Sequence, residues 1–105
     1  MEKFKLAVLI SGSGTNLQAL INKFDSDERI EICCVISNNE EAYGLERARI
    51  AGSNNLSISH NNFPSRKEFE EALIKSLSKY NPDLVVLAGF MRILSEVFVN
   101  RYSDR

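Results

Sequence analysis

Phe4-Lys5-Leu6-Ala7-Val8-Leu9-Ile10-Ser11-Gly12-Ser13-Gly14-Thr15-Asn16-Leu17-Gln18-Ala19-Leu20-Ile21 changes its hydrophobic period halfway, and that change decides the fold. Phe4 to Ile10 is a nearly continuous apolar run, the pattern of a strand covered on both faces. Beyond the glycines, Leu17, Leu20, Ile21 and Phe24 recur at i, i+3, i+4 and i+7, which gives a helix one apolar face. A buried strand that passes through a glycine turn into an amphipathic helix is the opening of a βαβ unit.

The alternation continues outward from this stretch. Ile32 to Ile36 and Leu84 to Ala88 read as further buried strands, and Leu56 to Ile58 as a short one. A second helix is expected over Ala42 to Ala51, ended by Gly52 in the left-handed conformation that glycine tolerates. The third opens on the capping box Ser65-Arg66-Lys67-Glu68, carries Phe69, Leu73, Leu77 and Tyr80 inward, and stops at Asn81-Pro82. A last helix is expected after Ser95, whose hydroxyl can cap it, with Glu96 beside the positive end of the dipole. Helical crossovers return the chain in the same direction, so the strands are expected to be parallel. The fold class is α/β, a doubly wound parallel sheet in one domain over residues 1–105, and the halt soon after the fourth strand reads as a truncation.

Composition narrows the function. With 44% hydrophobic and 26% charged residues in 105, the chain is an ordinary globular one. Thirteen Lys and Arg against fourteen Asp and Glu leave no general basic field, so neither nucleic acid nor a membrane is an expected partner and any anion site must be local. The apolar stretch Leu6 to Ile10 is too short for a leader or a span, which points to a cytoplasmic protein. Cys33 and Cys34 are adjacent, and neighbours on a strand face opposite ways, so they read as reduced, buried thiols with no disulfide. His60, the single histidine, lies in the polar stretch His60-Asn61-Asn62-Phe63-Pro64 and reads as a solvent-facing loop residue; no metal site is expected.

The glycine turn carries chemistry. Gly12 and Gly14 let the backbone bend sharply and approach a ligand, while the free N–H groups opening the next helix attract anions. Thr15 and Asn16 add short polar side chains that can donate to phosphate oxygens or cap the helix. A dinucleotide fingerprint would need a third glycine where Leu17 stands, and an acid at the end of the second strand, where Ser37-Asn38-Asn39 stands. The lysine of a P-loop is missing too, which favours a single phosphate group over a nucleotide; the plain alternative is a turn shaped by glycine and nothing more. At the same carboxyl edge, Ala88-Gly89-Phe90-Met91-Arg92-Ile93-Leu94 follows the fourth strand. Gly89 permits close approach, and Phe90, Met91, Ile93 and Leu94 offer an apolar wall for a flat heteroaromatic group, core packing being the alternative.

Val8-Leu9-Ile10-Ser11-Gly12-Ser13-Gly14-Thr15-Asn16-Leu17-Gln18-Ala19 resembles the opening of the phosphoribosylglycinamide formyltransferases (glycinamide ribonucleotide transformylases). Val35-Ile36-Ser37-Asn38, Ala42-Tyr43-Gly44-Leu45-Glu46-Arg47-Ala48 and Leu84 through Ser95 agree with the same family in the same order, so the likeness covers the amino-terminal part of it. The resemblance implies a Rossmann-like formyltransferase fold and transfer of a formyl group from the cosubstrate 10-formyltetrahydrofolate to the amine of glycinamide ribonucleotide in de novo purine synthesis, without a metal. It implies substrate phosphate held at Gly12, Gly14, Thr15, Asn16, Leu17 and Gln18, and Gly89 beside the substrate. Folate would be bordered by Arg66, Phe90, Met91, Arg92, Ile93 and Leu94. The family's catalytic Asn-x-His and later Asp find no counterpart in these residues and are expected beyond Arg105, so this chain is expected to bind without turning over. Exposed surface at the missing portion would favour self-association. Two other classes fit the residues: a non-catalytic phosphate- or nucleotide-binding α/β module, and a folate-dependent deformylase on the same fold.

Overall fold

In the computed structural model, which describes residues 3–90, four strands form one parallel sheet in the order β3-β2-β1-β4. They are β1 (Phe4–Ile10), β2 (Ile30–Ser37), β3 (Asn55–Ser57) and β4 (Leu84–Leu87). Helices α1 (Thr15–Phe24), α2 (Tyr43–Ile50) and α3 (Arg66–Tyr80) connect them, with a 3-10 turn at His60–Asn62. Met91, Arg92, Ile93, Leu94 and the helix expected after Ser95 lie outside the described residues.

The apolar run of β1 is explained by its central place: Ala7, Val8, Leu9 and Ile10 are wholly buried, with β2 on one side and β4 on the other. Ala7 and Leu9 pack with Ile36 and with Phe69, Leu73 and Leu77 of α3. Val8 and Ile10 pack with Val35, with Leu17 and Ile21 of α1 and with Ala48 of α2. The central strands β1 and β2 are therefore covered on both faces, as the doubly wound expectation requires, whereas β4, read as a buried strand, leaves Leu84 and Leu87 exposed at the edge of the sheet; each buried leucine or isoleucine contributes about 1.5–3 kcal/mol.

Helix ends follow their local chemistry. Ser65 Oγ accepts from the Glu68 N–H at 3.2 Å and caps α3, and Asn81 closes it in the left-handed region at φ 48. Gly52 ends α2 at φ 79, with the Ser53 N–H bonded to the Ala48 carbonyl at 2.9 Å and the Gly52 N–H to Arg49 at 3.1 Å.

Several expectations are corrected. β2 begins at Ile30 because that residue pairs with Phe4, and it runs on to Ser37. β3 is Asn55–Ser57 and not Leu56 to Ile58: β2 runs out at Ser37, which pairs with Ser57, so Ile58 keeps only an N–H bond to the Ser37 carbonyl. Ala42 and Ala51 cap α2 from outside it, and β4 stops one residue short of Ala88. Cys33 and Cys34 do not face opposite layers. The β1–β2 register passes from Leu6↔Ile32 to Ala7↔Cys34, leaving Cys33 as a bulge, and both thiols join the α3-side core. Both are free, and the hydrogen bond to Cys33, with burial, pushes the Cys34 thiol up from its ordinary value. His60 is not turned to solvent: the 3-10 turn lays its half-buried ring edge-on to Phe69, with centroids 6.4 Å apart.

Candidate functional site

Crossovers leave β1 toward β2 on one side and reach β4 on the other, so the loops after β1 and β4 part and open a crevice at the carboxyl edge. A cleft of about 300 Å³ lies there, lined by Ser11, Gly12, Ser13, Gly14, Thr15, Asn16, Ala88 and Gly89. The structure thus brings Gly12, Gly14, Thr15 and Asn16 together with Gly89. Gly89 is left-handed at φ 80 and nothing lies within 4 Å of where a Cβ would stand, so the chain passes the cleft with open space beside it.

Helix α1 opens on this cleft uncapped. Gly14 is its N-cap, at φ 78 and ψ 27, and no side chain bonds to the helix start. The capping role open to Thr15 is not taken. The first helical bond runs from the Gln18 N–H to the Gly14 carbonyl at 2.8 Å, so the N–H groups of Thr15, Asn16 and Leu17 precede it and have no carbonyl to meet within the helix. No acidic residue stands in the first turn to compete with an anion. The Leu17 side chain is fully buried in the core, which leaves it only a backbone N–H to offer. Gln18 does not line the cleft; its carboxamide accepts from Arg47 at 3.2 Å and donates to Asn22 at 3.0 Å.

The loop is held from behind by α2, which the sequence reading left without a role. The Gly44 N–H donates to the Gly12 carbonyl at 3.0 Å, and Arg47 Nε donates to the Ser13 carbonyl at 2.7 Å. Arg47 also lies over the Tyr43 ring, 5.0 Å from its centroid. The helices nearly touch, since a Cβ on Gly14 would sit 2.6 Å from Gly44 Cα. A signal existed: a glycine inside a helical pattern costs about 1 kcal/mol against alanine and marks a close backbone approach.

A second polar brace was also missed. Ser11 Oγ donates to Asn38 Oδ1 at 2.6 Å, and Asn38 Nδ2 lies 3.4 Å from His60 Nδ1, so one buried carboxamide ties the tips of β1 and β2 to the 3-10 turn. A cleft of about 460 Å³ beside it shares Ser11 and is lined further by Asn38, Asn39, Glu40, Glu41, Ser59, His60 and Asn61. Its glutamates oppose an anion. A cleft of about 480 Å³ lies at the amino ends of the strands, where Asp25, Asp27, Glu28 and Glu31 do the same. The glycine cleft, by contrast, has no acidic residue in its lining.

Arg66 is not part of that cleft. It is the exposed first residue of α3, 3.9 Å from Glu70, a carboxylate left only 3% exposed and one that the apolar pattern did not foretell. Phe90 is half-buried against the α3-side core, so Arg66 and Phe90 belong to the layer opposite α1.

The sequence pattern described as "Formyl transferase" matches residues 4–105. The phosphoribosylglycinamide formyltransferase of Escherichia coli is 46% identical over 101 residues, covering 95% of this chain and 48% of that protein. The human trifunctional purine biosynthetic protein adenosine-3 is 42% identical over 105 residues, covering 99% of this chain and 10% of that protein. A solved phosphoribosylglycinamide formyltransferase from Coxiella burnetii superposes with a TM-score of 0.92 at 51% identity, over 97% of this chain and 48% of that one. The chain spans about half the length of the Escherichia coli and Coxiella burnetii enzymes.

Proposed function

The chain belongs to the formyl transferase family, and on that premise we propose that it serves formyl transfer from 10-formyltetrahydrofolate to the amine of glycinamide ribonucleotide, in the cytoplasm, as a step of purine synthesis. The observation that carries this reading is the uncapped start of α1 opening on the crevice that Gly89 also lines. Gly12, Gly14, Thr15, Asn16 and Leu17 take the substrate's phosphate on backbone N–H groups and short polar side chains, and the dipole of α1 adds to its hold. Gln18 supports that turn through its bond to Gly14. Gly89 lets the rest of the substrate pass close to the strand tip.

Folate is assigned to the other side of the same edge, with Arg66 offering a cation to an acidic tail and Phe90, Met91, Arg92, Ile93 and Leu94 bordering the flat ring. Among the described residues, no group of His, Cys, Asp and Glu is arranged to hold a metal, and no helix is long and apolar enough to cross a membrane.

In the reaction the amine attacks the formyl carbon, a tetrahedral oxyanion forms, and the amine's proton must move to the departing folate nitrogen. These 105 residues contain no Asn-x-His, and the single histidine, His60, is bound up with Asn38 and Phe69. The chain accordingly supplies substrate binding, and the stabiliser of the oxyanion and the proton relay come from outside it. Calorimetry with ribose 5-phosphate, a folate analogue and a nicotinamide dinucleotide tests the binding half: the first two should bind and the third should not. An assay with glycinamide ribonucleotide and the formyl donor tests the other half, where turnover near that of the Escherichia coli enzyme would refute the division of labour.

A further inference from the structure

We propose that α2, through Arg47 and the Gly44 N–H, is the element that shapes the anion loop, with Arg47 a positioning residue that never needs to touch the ligand. The inference rests on the reading of the glycine loop as a phosphate site and goes beyond it. Two successive carbonyls of the loop, those of Gly12 and Ser13, are both drawn to α2, one by the Gly44 N–H at 3.0 Å and the other by Arg47 Nε at 2.7 Å. A peptide unit is planar and trans, so its N–H points opposite to its carbonyl. Fixing the Gly12 and Ser13 carbonyls toward α2 therefore turns the Ser13 and Gly14 N–H groups away from it, side by side. Adjacent N–H groups on one side of a tight turn make a concave anion seat. Ser13 and Gly14 line the 300 Å³ cleft, whereas Gly44 and Arg47 do not.

Two further contacts, and the closeness of the helices, fix Arg47 in this role. Its Nη1 donates to Gln18 Oε1 at 3.2 Å, in the second turn of α1, so one guanidinium spans the loop and the helix that follows. Its guanidinium carbon lies over the Tyr43 ring. The close approach of Gly14 to Gly44 leaves no room for a side chain between the helices, so the bonds from α2 reach the loop directly. Lysine cannot reproduce this: it has the charge, but a single ammonium cannot donate to the Ser13 carbonyl and the Gln18 carboxamide in the guanidinium's fixed fork. The arrangement also separates two ways in which an arginine can help an anion bind, since a distant charge is insensitive to such geometry and a positioning residue depends on it.

The test uses the full chain, Arg47→Lys and Arg47→Met, each titrated with ribose 5-phosphate at two salt concentrations while the amide resonances of Ser13 and Gly14 are followed by NMR. In the parent chain both resonances should move on titration. Both variants should bind roughly tenfold more weakly, the loss expected of one charge-assisted hydrogen bond, with the Ser13 and Gly14 amides shifted in the free protein and less responsive to ligand. If Arg47→Lys binds as the parent does, Arg47 acts by charge or not at all and the proposal is overturned. Should Arg47→Met fail to fold, Arg47→Lys decides alone, because a merely stabilising arginine would lower the unfolding midpoint without moving the affinity of the folded fraction. A parent chain that does not bind ribose 5-phosphate overturns the phosphate reading itself, a result distinct from equal binding by parent and variant.

Discussion

Replacing three glycines by alanine, one at a time, separates backbone strain from helix contact in the loop. Gly14 is left-handed, and an alanine there carries a conformational cost of about 1–2 kcal/mol. Its Cβ would also lie 2.6 Å from Gly44 Cα and 3.3 Å from Arg47 Cδ. The first neighbour is backbone and cannot swing aside, so α2 must retreat, and overpacking of this kind costs about 1–3 kcal/mol. Gly14→Ala should therefore lose about 2–5 kcal/mol. Gly52 is left-handed to the same degree, at φ 79, but meets nothing within 4 Å, so Gly52→Ala should lose only the first part. Gly12 has neither a left-handed φ nor a neighbour, and Gly12→Ala should stay within about 1 kcal/mol of the parent. Alanine stiffens the unfolded chain similarly in all three, so that contribution cancels in the comparison. Urea unfolding followed by far-UV circular dichroism measures each difference, provided the slope is unchanged. If Gly14→Ala loses no more than Gly52→Ala, the close approach of α1 and α2 is not the constraint described above.

Other outcomes follow from the same contacts. Ser65→Ala should cost about 1 kcal/mol by uncapping α3, while Thr15→Ala, at a helix start with no side-chain cap, should change stability by no more than about 0.5 kcal/mol yet weaken binding of ribose 5-phosphate; paired melts and titrations check both. Asn38→Ala should cost about 1–3 kcal/mol, because it removes the buried carboxamide that accepts from Ser11 Oγ and meets His60 Nδ1, and a double-mutant cycle with His60→Ala should show the two effects to be coupled. The bond between the two thiols holds Cys34 above its ordinary range and draws Cys33 below it, so the folded pair gives up one proton earlier, and the other later, than the unfolded chain does. Stability should therefore rise as pH approaches the ordinary thiol range and fall beyond it, by up to about 1.4 kcal/mol per pH unit, and urea midpoints across about pH 8 to about pH 10 should lose the rise in Cys34→Ala.

Local pattern sufficed where one property of the chain has one solution. The unbroken apolar run Leu6–Ile10 had to be buried on both faces, the spacing of Leu17, Leu20, Ile21 and Phe24 had to be helical, and Ser65 with Glu68 had to start a helix, so the α/β class, the parallel sheet and the place of the glycine turn were legible in residue order. The meeting of that turn with Gly89 also followed, because parallel strands put both loops at one edge. What tertiary structure alone decided were contacts between segments far apart in the chain. The bulge at Cys33 depends on how β2 registers against β1, and it overrode the simple alternation that had put the two thiols on opposite faces. His60 and Asn38 looked like loop polarity until packing on Phe69 and the tip of β1 gave each a partner. Gly44 and Arg47, 32 and 34 residues beyond Gly12 and Ser13, meet those carbonyls only once α1 and α2 share a face of the sheet. Residue order marks where an anion can sit; the orientation of the peptide groups that receive it is set by a helix the loop meets only on folding.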